Sequence, residues 1–88
     1  MKIRRILYST RFERAFAMMN KNDKEQIIDR EQIFRENCFD SRLKTHKLKG
    51  RLRNYWSFSI THSFRIMFEF LEDGVAVFID VGDHSIYR

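Results

Sequence analysis

The hydrophobic period of this chain changes from helical to strand-like at Tyr55, and that change restricts its fold more than any other feature. Trp56, Phe58 and Ile60 alternate with Tyr55, Ser57 and Ser59. Phe64, Ile66, Phe68 and Phe70 alternate with Arg65, Met67, Glu69 and Leu71, and Val75, Val77, Ile79 and Val81 with Ala76, Phe78, Asp80 and Gly82. Alternation of this kind marks strands with one buried face. Asp73-Gly74 between the last two runs is a two-residue hairpin signal, so three antiparallel strands are expected. Centring that hairpin pairs Phe70 with Val77, Phe68 with Ile79 and Ile66 with Val81. A three-residue loop at Thr61-His62-Ser63 pairs Ile60 with Phe64, Phe58 with Ile66 and Trp56 with Phe68. A two-residue loop would set Ser59 against Ile66, which a half-buried sheet rejects.

The earlier half has a helical period. Residues 3–8, with Ile3, Ile6, Leu7 and Tyr8, read as a short first strand. Thr10 and Glu13 form a candidate capping box, followed by an apolar stripe of Phe12, Ala15, Phe16 and Met19. Asn20 to Asp23 breaks the pattern; Asp23 and Gln26 are then expected to cap a second helix striped by Ile27, Phe34 and Cys38, with Ile28 and Ile33 alongside. With 88 residues, no proline and three glycines, the chain has room for one core and no flexible linker. The expected fold is a single α+β domain over 1–88. In it an N-terminal strand precedes a two-helix hairpin, over roughly residues 10–39, packed on a three- to four-stranded antiparallel sheet.

The face turned away from the helices carries Tyr55, Ser57, Ser59, Arg65, Met67, Glu69, Phe78, Asp80 and, past the last strand, His84. The same register sets Arg65 opposite Gly82 and beside Ser59, with His84 a diagonal step from Arg65. Gly82 leaves open volume there for a phosphate. Charge points the same way: 17 Lys and Arg against 12 Asp and Glu give +5, the balance of a domain that meets a polyanion or simply stays soluble. Arg42, Lys44, Lys47, Lys49, Arg51 and Arg53 crowd one segment with no carboxylate between them. The last four alternate with Leu48, Gly50 and Leu52, as in an extended ribbon with a cationic edge. That edge is either a solvated face or a phosphate contact, and its continuity with the polar sheet face favours phosphate.

A single cysteine, Cys38, allows no internal disulfide and no Cys-based zinc site, which suits a reducing cytoplasm. The opening Met1-Lys2-Ile3-Arg4-Arg5-Ile6-Leu7-Tyr8 has charge but no apolar signal region, so neither export nor a membrane partner is expected. His46, His62 and His84 follow no compact zinc spacing, and neither metal nor cofactor is expected. His62 falls in the predicted turn and reads as an exposed polar residue. RNA can be cut without metal when its 2′-hydroxyl attacks the adjacent phosphate. That reaction needs a base, an acid for the departing 5′-oxygen, and cations for the phosphorane. His46, His84, Tyr87, Arg65 and the basic segment can supply these, although Tyr87 also reads as an ordinary terminal aromatic.

These residues carry a family resemblance. Thr45-His46-Lys47-Leu48-Lys49-Gly50, Tyr55-Trp56-Ser57-Phe58-Ser59-Ile60, Ser63-Phe64-Arg65-Ile66-Met67-Phe68 and Asp80-Val81-Gly82-Asp83-His84 with Ile86-Tyr87-Arg88 resemble the RelE/ParE toxin superfamily. The resemblance spans essentially the whole chain and is closest to the YafQ-like mRNA interferase branch. It implies a cytoplasmic toxin that cleaves mRNA in the ribosomal A site and is neutralised by a cognate antitoxin. Arg65 then corresponds to the phosphate-stabilising cation, His84 and His46 to the acid and base in either order, and Tyr87 to a C-terminal aromatic. Lys44, Lys47, Lys49, Arg51 and Arg53 would face ribosomal RNA. The chain departs from some branches by offering Ser57, Ser59 and His62 where they place a second histidine or an aspartate. The alternatives are a ParE-like gyrase inhibitor and an inactive member that binds only antitoxin or RNA. An antitoxin groove is expected among Phe12, Phe16, Phe34 and Phe78.

Overall fold

In the computed structural model, which describes residues 1–87, Ser9 rather than Thr10 opens the first helix. Its hydroxyl accepts from the Phe12 amide at 3.0 Å and donates to the Ile79 carbonyl at 2.7 Å, so one side chain caps α1 (Thr10–Ala17) and ties it to the sheet. Asn20, not Asp23, caps α2 (Lys21–Glu36), accepting from the Asp23 amide at 2.8 Å. Ser9 has Phe12 three residues on and so lacks the capping-box acid that made Thr10 and Glu13 conspicuous, whereas Asn20 has at that position Asp23, the residue expected to be the cap itself. The expected stripes hold inside the helices, although Met19 and Cys38 lie just past the ends of α1 and α2. Phe12, Ile27, Phe34 and Cys38 are buried, whereas Ile28 is 55% exposed. Burial pushes the Cys38 thiol up from its ordinary pKa.

The sheet has five strands, β1 (Arg5–Tyr8), β2 (His46–Lys47), β3 (Trp56–Ser59), β4 (Arg65–Glu72) and β5 (Val75–Gly82), in the order β1-β5-β4-β3-β2. The three expected antiparallel strands form its centre. Beyond that expectation, β1 lies parallel to β5 and β2 adds a two-residue edge to β3, so the sheet is mixed and wider. Both helices pack on one face around a single apolar core.

Register follows the sequence pattern in β3 and β4, where Trp56 meets Phe68 and Phe58 meets Ile66. It also holds where Arg65 meets Gly82 and Ile66 meets Val81. Between Met67 and Phe68 it shifts: Phe68 meets Phe78 rather than Ile79, and Phe70 meets Ala76 rather than Val77. Such a bulge turns the residues beyond it to the opposite face. Phe78 therefore lies in the core instead of on the polar face, fully buried between Phe12 at 5.4 Å and Phe34 at 5.3 Å, centroid to centroid. Phe34 also stacks on Phe58 at 4.8 Å and meets Phe68 edge-on at 4.9 Å. Among the described residues no helix is long and apolar enough to cross a membrane.

Candidate functional site

Alternation along β3 sends Phe58 into the core and Ser57 to the opposite face, in one cross-strand row with His46 of β2 and Met67 of β4. Ser57 is nonetheless only 1% exposed, because a 3-10 turn, His84–Tyr87, folds back over it. The Tyr87 hydroxyl lies 2.7 Å from the Ser57 hydroxyl. The turn has three further anchors. Ile86 is buried against Gly82, where an added Cβ would come within 2.9 Å of its Cγ2. Arg51 donates to the Tyr87 carbonyl at 3.5 Å, and Arg11 to the Ile86 carbonyl at 3.4 Å. The volume expected to admit a phosphate at Gly82 is thus filled by Ile86. Arg11 also pairs with the buried Asp80 at 2.8 Å, so this carboxylate is bound to α1 and not to Arg65.

The exposed His84 ring meets the Tyr87 ring edge-on, 6.0 Å between centroids. Arg65 sits between Ser59 and Gly82 as expected. Its Nη2 donates to the His62 carbonyl at 3.4 Å, and its Nε is buried with no hydrogen-bond partner among the described residues. A buried guanidinium donor without a partner is uncommon in a folded domain. His46 Nδ1 is 2.9 Å from the Lys44 carbonyl. A carbonyl only accepts, so this nitrogen carries the hydrogen, and the neutral ring keeps its lone pair on Nε2.

Lys44, Lys47, Lys49, Arg51 and Arg53 are all exposed, but they do not form an extended ribbon. Strand β2 ends at Lys47, and Gly50–Leu52 turns as a 3-10 helix. Gly50 enters it at φ +68°, a left-handed value open to glycine, and this breaks the alternation of Lys47 to Arg53. Arg42 is taken up by Asp40 at 2.8 Å, and that guanidinium holds the Asp40 carboxyl down at about 2. His62 is exposed in its loop. Arg88, the last residue of the C-terminal motif, lies outside the described residues.

Tyr8, Phe12, Phe16, Ile27 and Ile28 line a cavity of about 330 Å³ between the helices, with Glu13 and Glu31 at its wall. Of the residues expected to line a groove, Phe12 and Phe16 do so; Phe34 and Phe78 are fully buried in the core. Among the described residues no group of His, Cys, Asp and Glu is arranged to hold a metal ion. Sequence reasoning missed the role of Ser57 as the anchor for Tyr87. Its signal was a polar residue in a row that also holds Met67, since a hydroxyl beside an apolar neighbour under cover needs a partner.

No family model matches the sequence, and no curated protein matches it. Solved structures do. The YoeB/ParE toxin from Agrobacterium tumefaciens superposes with a TM-score of 0.77 at 22% identity, covering 96% of this chain and 99% of that one. A chain of the E. coli DinJ-YafQ toxin-antitoxin complex gives 0.73 at 19% identity, covering 92% of this chain and 92% of that one. The archaeal RelE-RelB complex from Pyrococcus horikoshii OT3 gives 0.73 at 13% identity over 94% of this chain and 96% of the other. A two-helix layer on a mixed sheet, matched over 92% or more of the chain, gives it the RelE/ParE toxin fold.

Proposed function

We propose that this chain is the toxin of a type II toxin-antitoxin pair and acts as a ribosome-dependent mRNA endonuclease in the cytoplasm. The observation that carries the reading is the Tyr87–Ser57 hydrogen bond. It sets Tyr87 beside His84 and in the cross-strand row of His46, on a sheet face flanked by exposed cations and by the Arg65 Nε that has no partner among the described residues. These are the parts that metal-independent RNA cleavage requires. His46 Nε2 takes the proton of the 2′-hydroxyl as its oxygen attacks phosphorus. The P–O5′ bond breaks, and the imidazolium of His84 returns a proton to the departing 5′-oxygen. The products are a 2′,3′-cyclic phosphate and a 5′-hydroxyl. Arg65 and Tyr87 stabilise the charge gathered on the non-bridging oxygens, and Lys44, Lys47, Lys49, Arg51 and Arg53 hold the RNA backbone.

An antitoxin partner is supported by the two similar structures that are toxin-antitoxin complexes, and the interhelical cavity is an apolar surface such a partner can cover. Primer extension on mRNA from cells expressing the wild type or His84→Ala tests the reading. Growth arrest with new 5′ ends inside translated regions, lost in the variant, is the expected result. Cleavage that survives in the variant overturns the role of His84. Arrest without new ends moves the reading to gyrase inhibition, checked by a supercoiling assay, and no arrest moves it to an inactive binder.

A further inference from the structure

We infer that Ser57 is a positioning residue for Tyr87, donating its hydroxyl hydrogen to the phenol oxygen so that the hydrogen of Tyr87 is left for a non-bridging oxygen of the substrate phosphate. The inference rests on the endonuclease reading and adds a residue to it. At 2.7 Å, either hydroxyl is near enough to donate. Burial decides between them. Ser57 is 1% exposed, and among the described residues the hydrogen-bond partner of its Oγ is Tyr87. Were Tyr87 the donor, the Ser57 hydrogen would be buried with nothing to accept it. A buried orphan donor costs more than a spare lone pair, and native structures avoid it.

Tyr87 is only half-buried and can turn its own hydrogen outward. Its phenol oxygen is then fixed at one end by Ser57 while Arg51 holds its carbonyl at 3.5 Å, so the donor direction is set before RNA arrives. Donors fixed in advance are most effective where charge develops in the transition state. The contribution of Ser57 therefore falls on the maximal rate, not on RNA binding, and passes wholly through Tyr87. A merely structural serine has neither property.

The test is single-turnover cleavage of a defined mRNA on purified ribosomes, with toxin varied to saturation. Ser57→Ala is expected to slow the maximal rate about tenfold, the loss of one held orientation, with the half-saturating concentration unchanged. Ser57→Thr, which keeps the hydroxyl, restores the rate, and Tyr87→Phe slows it at least as much as Ser57→Ala. Ser57→Ala in the Tyr87→Phe background has no further effect. A wild-type rate in Ser57→Ala overturns the inference, as does a second full loss in the double variant, which gives Ser57 an action of its own. A change confined to half-saturation overturns it too. If Ser57→Ala does not fold, Ser57→Cys, with a weak donor of similar size, replaces it; an intermediate rate is expected, and an undiminished rate overturns the inference. A wild type that cleaves nothing on any ribosome overturns the endonuclease reading and this inference with it. Cleavage by the wild type with an indifferent Ser57 removes the inference alone.

Discussion

Alanine at Gly82 measures how firmly the turn over Ser57 is seated. Its Cβ would lie 2.9 Å from Ile86 Cγ2. Carbon atoms at their optimal separation stand roughly 3.5–4.0 Å apart, so the two groups overlap by about 0.6 Å or more. Ile86 is buried, so it yields only if the turn lifts. Overpacking of this kind costs about 1–3 kcal/mol. Ile86→Ala by itself vacates a buried site and costs about 2–5 kcal/mol. In the double variant the clashing methyl is gone, so alanine at Gly82 should cost about 1–3 kcal/mol less there than in the wild type, a coupling of that size. Any backbone cost of alanine at Gly82 is common to both backgrounds and drops out. Urea denaturation of the four proteins gives the cycle, provided their m-values agree. Additivity within about 0.5 kcal/mol would refute the reasoning, since it would mean that Ile86 does not occupy the notch at Gly82.

Phe34→Ala should cost about 3–5 kcal/mol, because the ring is fully buried against Phe58, Phe68 and Phe78. That is a large part of the total stability of a small domain, and thermal melts should show Phe34→Ala poorly folded and Phe34→Leu folded. Arg11→Met leaves the buried Asp80 carboxylate, among the described residues, with the Val81 amide at 2.9 Å. The loss should be about 1–2 kcal/mol in urea, less than for a fully buried pair because Arg11 itself is 55% exposed. Tyr8 donates to Glu31, and burial first, then that bond, pushes its pKa up from 10.0 to about 12. The fold thus favours the protonated phenol, and this stabilisation is complete below pH 10 and lost as pH rises towards 12. The stability difference between wild type and Tyr8→Phe, followed by denaturant titration, should shrink across that window. A constant difference would count against the Glu31 bond.

The sheet was legible where polar residues punctuate the alternation. Ser57, Ser59 and Arg65 mark one face of β3 and the start of β4 unambiguously, and the register there is as expected. The bulge was not legible because Val75 to Ile79 is apolar at both parities. With Ala76 and Phe78 as acceptable in a core as Val77 and Ile79, only the hairpin turn fixed the register, and a later slip left no trace in the pattern. The parallel pairing of β1 likewise leaves no local mark, since its partner lies at the other end of the sequence. Of the site, the placement of Arg65 between Ser59 and Gly82 followed from register alone. The Ile86 notch and the Ser57 anchor did not, because a 3-10 turn folding back on a sheet is decided by packing and not by period.

The pairing of Arg5 with Val75 also sets a timetable for synthesis. The first strand leaves the ribosome long before its partner is made, and the amphipathic helices that follow have no sheet to cover their apolar stripes. Such non-local contacts form late and leave hydrophobic surface open in the interval. Until β5 is delivered, Ile6, Phe12, Ile27 and Phe34 are available to a chaperone or to a partner made nearby. Ser57 meanwhile waits for Tyr87, so the nascent chain acquires its candidate site only after its hydrophobic surface has been offered to others.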